Sequence, residues 1–235
     1  MFSIFKRHLL DQKLALLTMA GEVERQLNNV LEAFFSQDIE RAEQVIEGDK
    51  QIDFQEVEND RKCLFLLSRY QPVARDLRLI TAIMRINSTL ERIGDEAVHI
   101  AKQVIILSKR PLLMCCREEL PAMGYAVNKM VKEALDSFVN EDVELALKVW
   151  EHDQEIDQMS QENMKKLLDF IVHETPAIRR GVTLIMITHS LERIGDLAAH
   201  IAEQTVFFVE GRILQHGYEW EEIRKELNSG LRRGA

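Results

Sequence analysis

Along the first 35 residues, apolar side chains recur at three- and four-residue steps: Leu10, Leu14, Leu17, then Val23, Leu27, Val30, Leu31 and Phe34. That spacing places them on one face of a helix, whereas a strand would scatter them over both faces. It predicts a helix from about Ser3 to Phe35. Asp38 can cap a second helix running to about Tyr70. Pro72 then falls at the first turn of a third, where its missing N–H costs nothing, and that helix reaches about Ser108. Arg110-Pro111 and an irregular stretch through Pro121 interrupt the pattern. After them the same order returns: Asp142 as a cap, Thr175 and Pro176 opening a helix, and a stop at Glu210–Gly211. From Arg212 the chain predicts a short helix around Trp220–Leu227 and a frayed end.

The recurrence is literal. DIERAEQVIEGDKQID at 38–53 matches DVELALKVWEHDQEID at 142–157 at 8 of 16 positions. LERIGDEAVHIAKQ at 90–103 matches LERIGDLAAHIAEQ at 191–204 at 11 of 14. A unit of roughly a hundred residues is therefore written twice. Three long helices per unit predict an all-α fold of two tandem three-helix bundles, at 1–109 and 110–211, with a tail at 212–235. Nothing in the pattern decides whether the bundles lie end to end or side by side.

Composition agrees: 46% of residues are hydrophobic, only 6% aromatic, and Gly and Pro are scarce. A formal charge of −9, with no basic run longer than two residues, argues against nucleic acid as a partner. Cys63, Cys115 and Cys116 make neither a disulfide framework nor a metal knuckle and read as reduced thiols. Lys6, Arg7, His8, Asp11 and Lys13 break any signal-peptide core, and no apolar run approaches a membrane span. The expected setting is the cytoplasm, peripheral to a membrane at most.

The repeated segments carry chemistry. Residues four apart on a helix point the same way. Glu91 thus shares a face with Asp95, and Glu192 with Asp196. The second helices repeat the device in Asp49/Asp53 and Asp153/Asp157. Antiparallel packing would bring four carboxylates to one seam in each unit. One such pair reads as a solvated acidic face; four, at matched places, suggest a cation that offsets their repulsion. Oxygen donors favour Mg²⁺, Ca²⁺, Mn²⁺ or iron. His99 and His200, four residues beyond Asp95 and Asp196, and His189, before Glu192, would bias the choice towards iron, zinc or manganese. Hydrogen-bonded packing or solvation remains the plainer role for these histidines.

Gly94 and Gly195 each cost about 1 kcal/mol against alanine inside a helix, so a close helix approach or room beside the carboxylates is expected. Arg92 most simply pairs with Glu96 one turn on. Glu118, Glu119 and the acidic pair of WEEIRKEL read as ordinary exposed charge. No catalytic nucleophile motif or phosphate loop is present. A ferritin-like di-metal enzyme would need Glu-x-x-His twice; Glu96/His99 matches, but the second unit has Leu197 before His200.

LERIGD followed by an alanine-containing helix and IA(K/E)Q, duplicated, together with PVARDLR at 72–78, resembles the PhoU family of phosphate-signalling regulators. The resemblance covers nearly the whole chain. It implies two three-helix bundles that bind multinuclear iron or other metal through E(D)xxxD motifs. These fall on Asp49, Asp53, Glu91 and Asp95, and on Asp153, Asp157, Glu192 and Asp196. It further implies a non-enzymatic, often dimeric repressor of the phosphate-starvation response. Its implied partners are the ATPase of the high-affinity phosphate transporter and a phosphate-sensing histidine kinase. Two features depart from the family pattern. His99 and His200 stand where a residue such as asparagine is expected, and PAIRRGVTL differs from PVARDLRLI at the matching place. A metal-free helical adaptor differs from this reading only in whether the carboxylates are occupied.

Overall fold

The computed structural model describes residues 2–108, 118–214 and 217–229; the Arg110-Pro111 connector, Cys115, Cys116 and the end of the tail lie outside them. The described residues form helices and no strand: α1 Phe2–Ser36, α2 Ile39–Tyr70, α3 Ala74–Leu107, α4 Glu119–Asn140, α5 Val143–His173, α6 Ile178–Glu210 and α7 Gly217–Asn228. Asp38 Oδ1 accepts the Arg41 N–H at 3.1 Å, and Asp142 Oδ1 accepts those of Glu144 and Leu145 at 2.9 and 3.0 Å. Both caps are where the sequence places them. α6 stops at Gly211, whose φ of 76° suits a residue without a Cβ.

The prolines behave differently from expectation. Pro72 lies outside α3, before its N-cap Val73. Pro176 sits in a 3₁₀ turn, Thr175–Ala177, so α6 begins at Ile178 and its N-cap is Ala177 rather than Thr175. Gln71 in the left-handed region and Val73 extended at φ −126°, ψ 163° carry the reversal from α2, so α3 resumes only at Ala74, and Pro176 is taken up in the 3₁₀ turn that leads into α6. Pro121 does the reverse: it lies in the first turn of α4, where its absent donor would have no intrahelical partner. Gln71 closes α2 at φ 45°, ψ 56°, a left-handed conformation that disfavours side chains, and it is exposed. Gln71→Gly is therefore expected to stabilise the protein by about 0.5–1 kcal/mol, read as a higher urea midpoint at unchanged slope.

The two bundles, α1–α3 and α4–α6, lie side by side. α3 and α6 pack antiparallel along their lengths. Arg78 Nε donates to the Phe208 carbonyl at 3.1 Å, Arg85 to Gln204 Oε1 at 3.1 Å, and Arg193 pairs with Glu96 at 2.9 Å. These partners climb one helix as they descend the other. α1 and α4 also touch, through Asn128 to Asn28 at 2.8 Å and the Phe35–Tyr125 rings. One core therefore runs through both bundles, with Ile83, Ile86, Leu90 and Ile93 of α3 and Ile187, Leu191, Ile194 and Ile201 of α6 almost wholly buried. The duplication persists inside it: Asn59 approaches Met19 Sδ, and at matching places Asn163 approaches Met123 Sδ. α7 lies on α5, where Trp220 stacks on Trp150 with ring centres 5.5 Å apart.

Candidate functional site: two carboxylate seams

Each bundle brings its four predicted carboxylates together where its second and third helices cross. The glycines make this crossing close. A Cβ on Gly94 would stand 3.1 Å from Asp49 Oδ1 and 3.3 Å from Ile52, and one on Gly195 would stand 3.2 Å from Ile156 and 3.5 Å from Asp153 Oδ1. The glycine of LERIGD thus lets α2, or α5, approach the helix and leaves room for the carboxylate itself.

The electrostatics follow. In the first seam, burial, then Asp53 and Asp95, push the Asp49 carboxyl up to about 6, while Lys102 and His99 act in the opposite direction. Burial and the charges of Asp95, Glu56, Asp53 and Asp49 raise Glu91. In the second seam, burial, then Asp196, Asp157 and Glu192, carry Asp153 to about 7. Asp157 and Asp196 are raised too, by burial first and Glu192 among their neighbours. Ser160 donates to Glu192 at 2.5 Å, but Asp153 Oδ1 is buried without a hydrogen-bond partner.

The histidines divide. His99 Nδ1 is 3.4 Å from Glu96 and His189 Nδ1 is 3.6 Å from Glu192. His200 turns to the other bundle, its Nδ1 3.2 Å from Thr89 Oγ1. Burial, with Arg92 and Arg85, lowers its pKa. The expected Arg92–Glu96 pair does not form; buried Glu96 takes Arg193 of the other repeat instead, because that guanidinium reaches it across the interface. Glu96 of the lone ferritin-like match is thereby engaged between the bundles, with His99 beside it on the same helix. Glu119 is joined to Lys166 at 2.7 Å and Glu221 to Arg224 at 2.9 Å, so neither is idle surface charge.

Three seam residues escape the sequence reading. Lys102 faces the first seam; its counterpart Glu203 is pushed up to about 7 by burial, Asp153 and Glu219. Glu56 joins the first seam, where the second has Ser160. Lys102 and Glu203 continue the stripe one turn past the histidines, the signal that would have found them.

Hard oxygen donors, crowded like charges and an orphaned buried oxygen fit a divalent cation. As the side chains stand, no three His, Cys, Asp or Glu groups among the described residues converge on one ion, so gripping it requires carboxylate rotations. The raised carboxyls set a pH dependence. The folded state holds protons up to about pH 6 at Asp49 and about 7 at Asp153, whereas unfolded aspartates release them near pH 4. The folded state then binds more protons, so stability contributed by these groups is complete below about pH 4 and is lost as pH rises through 6–7. Chelator-treated protein should show a urea midpoint that falls from pH 4.5 to 7.5, and a divalent cation at pH 7.5 should restore it. A flat profile would contradict the crowding.

Comparison with known proteins agrees with this architecture. The PhoU domain model matches residues 16–104 and 120–205, one match per bundle. The phosphate-specific transport system accessory protein PhoU homolog of Pseudomonas aeruginosa is 39% identical over 212 residues, covering 90% of this chain and 88% of that protein. The PhoU accessory protein of Escherichia coli is 31% identical over 215 residues, covering 90% and 88%. The crystal structure of PhoU from P. aeruginosa superposes with a TM-score of 0.86 over 88% of this chain and all of that one, at 39% identity. That of the phosphate transport system regulatory protein PhoU from Streptococcus pneumoniae gives 0.84 over 90% and 100%, at 28% identity. With the family's domain matched once in each of two side-by-side bundles, this chain belongs to the PhoU family.

Proposed function

We propose that this protein is a non-enzymatic regulator of phosphate transport that represses the phosphate-starvation response when phosphate is abundant. It acts by contact with the ATPase of a high-affinity phosphate transporter and with a phosphate-sensing histidine kinase, from the cytoplasm and as a homodimer. Its relatives in Pseudomonas aeruginosa and Escherichia coli are accessory proteins of phosphate-specific transport, which supports the first part. An apolar stripe on α2, with Phe54, Val57, Leu64 and Phe65 all more than half exposed, supports contact with other proteins. Among the described residues, no helix is long and apolar enough to cross a membrane.

The observation that carries the metal part is the pair of crowded carboxylate seams. Asp49, Asp53, Glu91 and Asp95 would hold cation in one bundle, and Asp153, Asp157, Glu192 and Asp196 in the other, with iron foremost and zinc, manganese, magnesium or calcium as alternatives. There the cation would neutralise the seam and stiffen each helix crossing. The test is the metal content of protein purified without a tag, beside Asp95→Asn/Asp196→Asn, with starvation-gene repression measured for both. Loss of metal together with loss of repression is expected. A metal-free wild type, with both forms repressing, would remove the metal role and leave the helical adaptor.

A further inference from the structure

α3 and α6 carry the same motif and cross antiparallel, so a contact between them should recur with the two helices exchanged. One such contact does not. Arg193 of α6 reaches the buried Glu96 of α3, but the reciprocal arginine, Arg92, meets position 197, which is a buried leucine. Arg92 is exposed and makes no ion pair among the described residues. A cavity of about 240 Å³ lies there, lined by Arg92, Arg193, Asp196, Leu197 and His200. Arg85 lies near enough for its charge to bear on His200, and Glu203 Oε2 stands 3.9 Å from its Nε2. Two guanidiniums thus share one small cavity with one carboxylate on its wall, and Glu96 engages one of them from the side.

We propose that this cavity binds inorganic phosphate, with Arg92 and Arg193 holding its oxygens. The planar fork of arginine matches two oxygens of a tetrahedral oxyanion, and two arginines from different helices can grip it from two sides. The site exists because the duplication is imperfect: a glutamate at 197 would neutralise Arg92 as Glu96 neutralises Arg193. This goes beyond the regulatory reading and requires no cation in either seam.

Calorimetric titration of the full, chelator-treated chain at pH 7 and fixed ionic strength tests it. One saturable phosphate site is expected, and O-phosphoserine should bind no more tightly. Arg92→Gln, at an exposed position, should weaken phosphate tenfold or more while leaving the thermal melt intact. Leu197→Glu should do the same by giving Arg92 a partner; if it does not fold, Arg92→Gln decides. Absence of saturable phosphate binding, or wild-type affinity in Arg92→Gln, overturns the site. Tighter binding of O-phosphoserine overturns inorganic phosphate as its ligand.

Discussion

Replacing Arg193 with alanine is expected to cost about 3 kcal/mol of folding stability, far more than a half-exposed arginine ordinarily contributes. The cause is its partner. The Glu96 side chain is only 4% exposed, and Arg193 Nη1, at 2.9 Å, is its cationic partner from the other bundle. His99 adds a weaker contact at 3.4 Å from its own helix. Removing the guanidinium strands a carboxylate between α3 and α6, and an uncompensated buried charge costs several kcal/mol. Glu96→Leu should behave quite differently. The second repeat already buries Leu197 at the matching position, so a stability within about 1 kcal/mol of wild type is expected. In the double variant, Arg193→Ala should then cost almost nothing further, because the charge it would strand is gone. Urea midpoints of the four proteins measure this cycle. An Arg193→Ala midpoint equal to wild type would mean that Glu96 finds water or another donor.

That pair also marks where sequence reasoning reached its limit. The local rule joins Arg92 to Glu96 one turn apart, a pairing worth a few tenths of a kcal/mol on an exposed helix. A partner from another helix, meeting a desolvated carboxylate, easily outweighs it. Helix boundaries at Asp38, Asp142 and Gly211 were legible because each rests on a local hydrogen bond or a local φ value. The starts after Pro72 and Pro176 came later because the chain spends those residues on the reversal between helices, extended at Val73 and 3₁₀ over Thr175–Ala177, which no single residue announces. The eight seam carboxylates were legible from periodicity and duplication together. Lys102 and Glu203 were not, since a comparison of the copies rewards identity, and here the copies differ in the sign of their charge. Side-by-side packing of the bundles was hidden for a related reason. α6 is buried on several sides, with residues as varied as Thr188, Ala198, Thr205 and Phe208 inside, so its apolar pattern points to no single neighbour.

Trp220→Ala is expected to remove about 3–5 kcal/mol from the docking of α7, the usual cost of emptying a fully buried tryptophan site. α7 spans 12 residues, too few to hold a helix in water unaided. Its anchors are Trp220, 1% exposed and stacked on Trp150, and Ile223, 2% exposed. Arg224 adds a bridge between Glu221 and Glu151 of α5. Without the indole these remnants do not offset the entropy of ordering the segment, so the loss should be local. Hydrogen exchange in residues 217–228 should become fast while α3 and α6 remain protected, and Trp150 fluorescence should shift to the red. Uniformly faster exchange across the chain would instead make α7 part of the global folding unit. The seam feels the same event. Glu219 of α7 is one of the charges that raise Glu203, which in turn acts with Asp153. A freed α7 withdraws that charge and opens the site to water, so Glu203 should titrate closer to an ordinary glutamate. The chelator-treated variant should then lose less stability between pH 4.5 and 7.5 than the intact chain does.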